Sequence, residues 1–217
     1  MLYIVATPIG NLEDMTFRAV RTLKEVDYIA CEDTRTSGVL LKHYDIKKPL
    51  ISYHSFSTEL KLDKIMDLLK DGKDVALISD AGTPGISDPG YMLVREAIKN
   101  DIQVSPIPGV SACITALSAS GLQMNHFLYL GFLPVKKGRQ TLFTSLQNKE
   151  QTVVIYESVH RILRTIEDII KYFGENHYIV VGRELTKKFE EFKRGEASEV
   201  LEHFKKNTMK GEFVVMF

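Results

Sequence analysis

The sequence predicts an α/β protein with two lobes, and three observations support this prediction. Short apolar runs typical of buried strands alternate with amphipathic segments along all 217 residues. Loops rich in glycine, proline and small polar residues follow several of these runs. The alternation pauses at residues 120–125, so we expect one α/β domain over residues 1–118 and a second over residues 124–217.

In the first lobe, five short apolar runs predict strands. They lie at Leu2–Val5, Tyr28–Cys31, Leu50–Tyr53, Val75–Ile78 and Val104–Ile107. Between them, apolar residues three or four positions apart predict helices. These helices are expected at Thr16–Glu25, Leu60–Leu69, Asp88–Ile98 and Ser111–Ser120. In the third of them, Asp88 is a favourable N-cap and Pro89 a favourable first helical residue.

The second lobe repeats the alternation. Strands are predicted at Phe127–Phe132, Val153–Tyr156, Tyr178–Val181 and Phe213–Phe217, and helices at Arg139–Leu146, Val159–Phe173 and Ala197–Phe204. The helix that ends at Phe173 has the most regular amphipathic pattern in the sequence, and Gly174 follows it at the position where helices commonly stop.

Composition excludes several classes of protein. The 28 basic side chains balance the 28 acidic ones, which argues against a protein that simply coats nucleic acid. No apolar run approaches the ~18–20 residues of a membrane span, so we expect no membrane insertion. Cys31 and Cys113 lie in apolar surroundings, which favours reduced, buried thiols over a disulfide or a zinc site. We therefore expect a cytoplasmic protein without a metal.

Four loops at the carboxyl ends of the first lobe's strands are candidates for ligand binding, since ligands of open α/β sheets bind there. They are Ala6–Asn11, Glu32–Arg35, Ser79–Gly90 and Pro108–Ala112. The first loop has one glycine where a dinucleotide fingerprint has three, so a nicotinamide cofactor is disfavoured. The third loop combines glycines, prolines and acidic residues, and it is the strongest candidate.

Titratable residues after the strands suggest chemistry, although structural roles stay open. Asp33 or Thr34 could cap a helix, or Asp33 could pair with Arg35, and His54 could carry a proton near neutral pH. In the second lobe, Glu157 and Glu184 could pair with Arg161 or Arg183 instead of forming a site.

Two basic groups of the second lobe could contact phosphates or be ordinary solvated charge. They are Lys136, Lys137 and Arg139, and Lys187 with Lys188. No aromatic stacking motif accompanies them in the sequence, so nucleic-acid binding does not follow from these groups alone.

Ordered motifs along nearly the whole chain resemble one known family. They are Thr7–Leu12, Glu32–Arg35, Ser79–Pro84, Asp88–Tyr91, Gly131–Pro134, Tyr156–Arg161 and Arg183–Lys187. These motifs resemble the bacterial ribosomal RNA small subunit methyltransferase I family, which is part of the tetrapyrrole (precorrin) methylase superfamily. The resemblance implies a two-lobed fold of that superfamily, with S-adenosylmethionine in the cleft between the lobes, and a homodimer.

The resemblance also implies an activity and a set of residues. The activity is methyl transfer to the 2′-hydroxyl of a cytidine in 16S ribosomal RNA near the decoding centre, with the small ribosomal subunit as partner. Cofactor contacts are expected at Pro8, Ile9, Asp80, Ala81, Gly82, Thr83, Ser111, Ala112 and Tyr156. Substrate contacts are expected at Glu32, Arg161, Arg183 and Glu184. Asp33 and His54 are the candidate bases, and Arg35 would orient the phosphate or the acid.

Three alternatives differ from this interpretation in substrate or in chemistry. The chain could methylate a tetrapyrrole, as other members of the superfamily do, or it could bind RNA without catalysis. A hydride-transfer enzyme is disfavoured because the glycine fingerprint is absent. The family generally continues with a small helical extension past the strand that ends here at Phe217, and we expect this chain to lack it.

Overall fold

A computed structural model describes residues 1–54, 59–88, 90–206 and 210–217. The chain divides into two compact units, Met1–Ser111 and Ala112–Phe217, which we describe separately as unit 1 and unit 2. Within the described ranges, no helix has the length and apolar character needed to cross a membrane.

Unit 1 is a parallel sheet with helices between successive strands. Its strands are β1 (Leu2–Val5), β2 (Tyr28–Cys31), β3 (Leu50–Ser52), β4 (Val75–Ile78) and β5 (Val104–Ile107). Its helices are α1 (Phe17–Glu25), α2 (Thr34–His43), α3 (Glu59–Lys70) and α4 (Gly90–Lys99), and a short 3₁₀ helix spans Leu12–Asp14. The strand order is β3-β2-β4-β1-β5, and every neighbouring pair is parallel.

Apolar side chains cover both faces of this sheet. Val5, Ile29 and Ile78 belong to one buried cluster, whereas Leu2 and Leu77 belong to another. Burial on both faces explains why these strands are almost continuously apolar in the sequence. Because all five strands run in the same direction, the loops that follow them emerge at one edge of the sheet.

Unit 2 contains a mixed sheet. Its strands are β6 (Phe127–Phe132), β7 (Thr152–Ser158), β8 (Tyr178–Arg183), β9 (Glu191–Glu196) and β10 (Glu212–Met216). Its helices are α5 (Ala112–Ser118), α6 (Arg139–Leu146), α7 (Ile162–Phe173) and α8 (Ala197–Lys206). The strand order is β6-β7-β10-β8-β9, in which only β6 and β7 are parallel neighbours. One apolar cluster from the sheet and helices α6, α7 and α8 forms the core.

The predicted strands and the predicted helices are confirmed, with bounds that shift by a few residues. Apart from the short 3₁₀ helix, two elements had no predicted bounds. Helix α2 begins at Thr34 with Asp33 as its N-cap, and strand β9 has the charged sequence Glu-Phe-Lys-Arg-Gly-Glu, which lacks an apolar run. Strand β9 lies at the edge of its sheet, where one side has no strand neighbour, so a polar sequence is tolerated. The predicted helical role of Pro89 falls outside the described residues.

Candidate active site

Two loops at the carboxyl edge of unit 1 are joined by a pair of backbone hydrogen bonds. The Thr7 amide donates to the Gly82 carbonyl at 2.9 Å, and the Gly82 amide donates to the Thr7 carbonyl at 3.0 Å. The Thr7 hydroxyl donates to the Ser79 carbonyl at 3.0 Å, and both side chains are buried. Thr7 and Ser79 each begin a motif that resembles the family, but neither was predicted to be a site residue by itself.

Two glycines allow this edge to pack closely. Gly82 has φ of +83°, which is unfavourable for any residue with a Cβ. A Cβ on Gly109 would lie 2.9 Å from the Cβ of Ala6, so only glycine fits between these loops. The Thr83 hydroxyl donates to the Val110 carbonyl at 2.9 Å and connects the Ser79–Gly90 loop to the loop after β5.

Asp33 has a structural role at the start of α2. Its carboxylate accepts the Arg35 backbone N–H at 2.8 Å and the Arg35 guanidinium at 2.7 Å. These hydrogen bonds lower the pKa of Asp33 from its ordinary 3.8 to about 2. The Asp33 amide in turn donates to the Asp80 carboxylate at 3.2 Å. Both structural roles left open by the sequence, the helix cap and the pair with Arg35, are therefore present.

Glu32 lies in an acidic environment at the same edge. Burial raises the pKa of its carboxyl, the negative charges of Asp80 and Asp88 raise it further, and His54 opposes them. The structure thus brings Glu32, Asp33, Asp80 and His54 into one electrostatic neighbourhood. A carboxyl whose pKa moves toward neutrality is better suited to proton exchange than one held near 2.

The expected cofactor residues of unit 1 differ in exposure. Pro8, Ile9 and Gly82 are buried, Asp80 and Ala81 are exposed, and Thr83 and Ser111 are half-buried. The three buried residues pack within the loops at the edge of the sheet. The Asp80 side chain is exposed although its carboxylate accepts the Asp33 backbone N–H.

The expected cofactor residues of unit 2 are close neighbours. The Tyr156 hydroxyl accepts the backbone N–H of Cys113 at 3.0 Å, and Cys113 directly follows Ala112. The ring of Tyr156 also makes edge contacts with Tyr129 and Phe132, with ring centroids 5.2 and 5.8 Å apart. Tyr156 is therefore held between β6 and the start of α5.

Arg161 is part of a buried charge network. Its Nε lies 3.0 Å from the Glu157 carboxylate, whose side chain is fully buried, and its Nη2 donates to the Leu133 carbonyl at 2.7 Å. Glu157 also accepts the Thr165 hydroxyl at 2.7 Å. The pairing of Glu157 with Arg161 that the sequence left open is present. Most of the hydrogen-bonding capacity of this guanidinium is used within the protein.

Arg139 does not face solvent, in contrast to its interpretation as a phosphate contact. It is 4% exposed, and its guanidinium binds Asp168 at 2.7 Å, Thr165 at 2.9 Å and the Pro134 carbonyl at 3.2 Å. The stretch Lys-Lys-Gly-Arg gives no sequence signal that Arg139 is buried, because its side-chain partners Thr165 and Asp168 lie on α7.

Arg183 and Glu184 are adjacent but have different ion-pair partners. Arg183 Nε lies 2.9 Å from Glu191, and Glu184 pairs with Lys187 at 2.9 Å. Burial acts to raise the pKa of Glu184, but hydrogen bonds from Lys187 and the Glu212 amide prevail and lower it. The possible pairing between Arg183 and Glu184 is replaced by these two separate pairs. Within the described ranges, no group of three His, Cys, Asp or Glu side chains could hold a metal ion.

Comparison with known proteins identifies the family. The family model described as Tetrapyrrole (Corrin/Porphyrin) Methylases matches residues 1–201. A ribosomal RNA small subunit methyltransferase I from Halalkalibacterium halodurans is 50% identical over 216 residues, which are 99% of this chain and 74% of that protein. One from Synechocystis sp. is 48% identical over 217 residues, covering 100% and 78%. The chain belongs to the ribosomal RNA small subunit methyltransferase I family.

The fold agrees with this assignment. The crystal structure of a cobalt precorrin-4 methyltransferase of cobalamin biosynthesis superposes with a TM-score of 0.74 at 17% identity, covering 99% of this chain and 93% of that one. At that identity the likeness concerns the fold alone. The α/β fold class and the methyltransferase class expected for this member of the ribosomal RNA small subunit methyltransferase I family are confirmed.

Proposed function

We propose that the protein transfers the methyl group of S-adenosylmethionine to the 2′-hydroxyl of a cytidine in 16S ribosomal RNA near the decoding centre. Two relatives with about half of their residues identical are named as methyltransferases of small-subunit ribosomal RNA, which supports the acceptor. The structural observation that supports a ligand site is the hydrogen-bonded pair of Thr7 and Gly82, which holds two loops together at the carboxyl edge of unit 1.

The residues at this edge fit S-adenosylmethionine. When bound, this cofactor supplies an electrophilic methyl group on a positively charged sulfur. The exposed Asp80 carboxylate offers an opposite charge, and the close approach at Gly109 brings backbone groups within reach of a ligand. The residues of unit 1 that we propose as its contacts are Pro8, Ile9, Asp80, Ala81, Gly82, Thr83 and Ser111.

We assign different roles to the two carboxylates after β2. Asp33, with its pKa near 2, holds a proton poorly and instead caps α2 and orients Arg35, which is 90% exposed and available to an RNA phosphate. Glu32, with its raised pKa and with His54 nearby, would accept the proton of the ribose hydroxyl. The hydroxyl oxygen would bond to the methyl carbon as the bond between that carbon and the sulfur breaks, and S-adenosylhomocysteine would leave. Correct placement of the hydroxyl supplies much of the rate.

The same proposal covers the partners. We propose the small ribosomal subunit as substrate, with Arg161, Arg183 and Glu184 organising the surface of unit 2. A homodimeric state and a cytoplasmic location are proposed with it.

Calorimetric titration with S-adenosylmethionine and methyl transfer to small ribosomal subunits test this function. We expect binding of the cofactor and incorporation of one methyl group per subunit. Uroporphyrin III offered as the acceptor should not be methylated, and methylation of it without transfer to subunits would refute the proposal.

The role of Glu32 is tested in the same assay. We expect Glu32→Gln to lower kcat by about 10²- to 10⁴-fold with an unchanged Kd for the cofactor, because only proton removal is lost. The exposed Glu13→Gln serves as the matched control and should retain full activity. If His54→Gln lost turnover while Glu32→Gln did not, His54 would be the base.

A further inference from the structure

The turn that follows β8 has an unusual backbone. Glu184 has φ of +49° and Thr186 has φ of +64°, and both are residues with a Cβ in the left-handed region. Such conformations persist only where surrounding contacts hold them, and they concentrate at functional sites. We call residues 184–190 the β8–β9 turn.

An ion-pair network holds the first half of this turn against β10. Lys187 Nζ lies 2.9 Å from a carboxylate oxygen of Glu184 and 2.9 Å from one of Glu212. Glu184 also accepts the Glu212 backbone N–H at 3.2 Å. A Cβ on Gly211 would lie 2.3 Å from the Glu184 carboxylate oxygen, so the glycine leaves the space that this carboxylate fills.

Further hydrogen bonds hold the second half. The Glu190 carboxylate accepts the Thr186 backbone N–H at 2.7 Å, and the Lys187 carbonyl accepts the Glu190 backbone N–H at 3.1 Å. Arg183 pairs with Glu191 where the turn joins the two strands. The acidic residues of the turn are therefore used to fix its shape.

The fixed turn presents an aromatic ring and a positive charge to solvent. Phe189 is 66% exposed, and the Lys188 ammonium lies 5.6 Å from the centre of its ring. In contrast to Lys187, Lys188 has no acidic partner among the residues that the structure describes. Phe189 directly follows the Lys187–Lys188 group in the sequence, and the structure shows that its ring is exposed beside the Lys188 ammonium. The expectation that no aromatic residue accompanies this group is therefore wrong.

We propose that Phe189 stacks on an unpaired base of the RNA substrate and that Lys188 contacts a neighbouring phosphate. The proposal rests on the proposed function. A flat ring beside an unpaired cation matches the two features that single-stranded RNA offers, the face of a base and a negative phosphate. Because the turn is already held in place, little conformational entropy would be lost on binding.

Substitutions of Phe189 test stacking directly, with binding to small ribosomal subunits measured by filter retention. We expect Phe189→Ala to raise Kd about 5- to 100-fold, Phe189→Leu to lose most of the affinity as well, and Phe189→Trp to retain it. Phe17→Ala is the matched control, since Phe17 is 97% exposed on unit 1, and it should bind as the unmodified protein does. Unchanged affinity in Phe189→Ala would overturn the proposal, as would full affinity in Phe189→Leu.

The test also separates other outcomes. If Phe189→Ala converted a dimer to a monomer in analytical ultracentrifugation while Phe189→Leu did not, the ring would be covered by a second copy, and the proposal would be wrong. Cofactor binding by calorimetry is read in parallel and should be unchanged in every variant. Failure of the unmodified protein to methylate subunits that it binds would instead refute the proposed function and leave stacking standing.

The salt dependence of binding tests the role of Lys188. We expect Lys188→Gln to reduce the slope of log K against log salt by about one relative to the unmodified protein, because one phosphate contact is lost. The exposed Lys149→Gln should leave the slope unchanged. An equal slope for Lys188→Gln would exclude the phosphate contact.

Discussion

Charged residues at the carboxyl ends of strands have different surroundings in the two units. At the edge of unit 1, Glu32 and Asp80 lie near other acids, and the pKa of Glu32 is raised. At the edge of unit 2, Glu157 and Arg183 are committed to partners within the protein. The acids of the first edge lie beside one another, whereas those of the second edge form ion pairs within unit 2.

Strand direction explains much of this difference. In unit 1 all strands are parallel, so the edge collects loops that follow strands and the acids among them accumulate. In unit 2, the antiparallel neighbours bring the beginnings of β9 and β10 to the same edge, and Glu191 and Glu212 come with them. Those residues supply partners for Arg183 and Lys187. The same sequence pattern therefore accompanies a cluster of acids in a parallel sheet and an ion-pair network in a mixed sheet.

The largest expected effect comes from removing a partner inside unit 2. We expect Glu157→Ala to lower the free energy of unfolding by about 3–5 kcal/mol, because Arg161 and Thr165 lose a buried partner. Urea denaturation measures the change.

Glu32→Gln is the counterpart in unit 1. The pKa of Glu32 is raised in the folded protein, so the charge of its carboxylate at neutral pH disfavours folding. The neutral glutamine should therefore leave the free energy of unfolding unchanged or make it larger. Equal losses in Glu157→Ala and Glu32→Gln would remove the distinction between the two edges.

Substitutions of two glycines are expected to lower the free energy of unfolding by an intermediate amount. Gly211 and Gly174 have nearly the same φ, +101° and +100°, but only Gly211 faces another side chain within 4 Å. We expect Gly174→Ala to cost about 1–2 kcal/mol from the left-handed backbone alone, and Gly211→Ala to cost more because Glu184 must move. Thermal unfolding of both variants measures the difference, and equal costs would show that the network around Glu184 adds no rigidity.

The smallest effect is a pH dependence from Asp33. Its pKa is about 2 when folded and 3.8 ordinarily, so its stabilising contribution is full above pH ~4 and is lost as the pH falls through about 2. In Asp33→Ala, urea midpoints should therefore fall less between pH 4 and pH 2 than in the unmodified protein. Asp63→Ala, on the exposed side of α3, should keep the original pH dependence.

Local patterns predicted the elements whose formation depends on their own residues. Strand β4 is an apolar run that is buried throughout, and α7 repeats apolar residues at helical spacing. Strand β9 was missed because its pairing with β8, and not its own polarity, makes it a strand. Helix α2 was left open because glycine, serine and threonines reduce its helical propensity, and its beginning depends on the cap at Asp33.

The location of the candidate site was predictable from the sequence, because strand direction determines which loops share an edge of the sheet. Parallel strands direct Ala6–Asn11 and Ser79–Gly90 to one edge, and the structure confirms that these loops contact each other through Thr7 and Gly82. The hydrogen-bond partners of individual side chains were not predictable from the sequence. Arg139, for example, donates to Asp168, which lies on another helix. Such pairings are decided by packing over a long distance in sequence.

The position of β1 in the sheet of unit 1 has a consequence for how the protein is made. Leu2 pairs with Val75 on one side and with Val104 on the other. During synthesis, β1 therefore leaves the ribosome long before either neighbour exists. Its backbone N–H and C=O groups have no strand partner, and its apolar side chains stay uncovered by the sheet, until β4 and β5 follow. Contacts between residues so distant along the chain form slowly, and an unpaired strand is prone to aggregation. We therefore expect the folding of unit 1 to depend more strongly than that of unit 2 on the speed of translation and on chaperones.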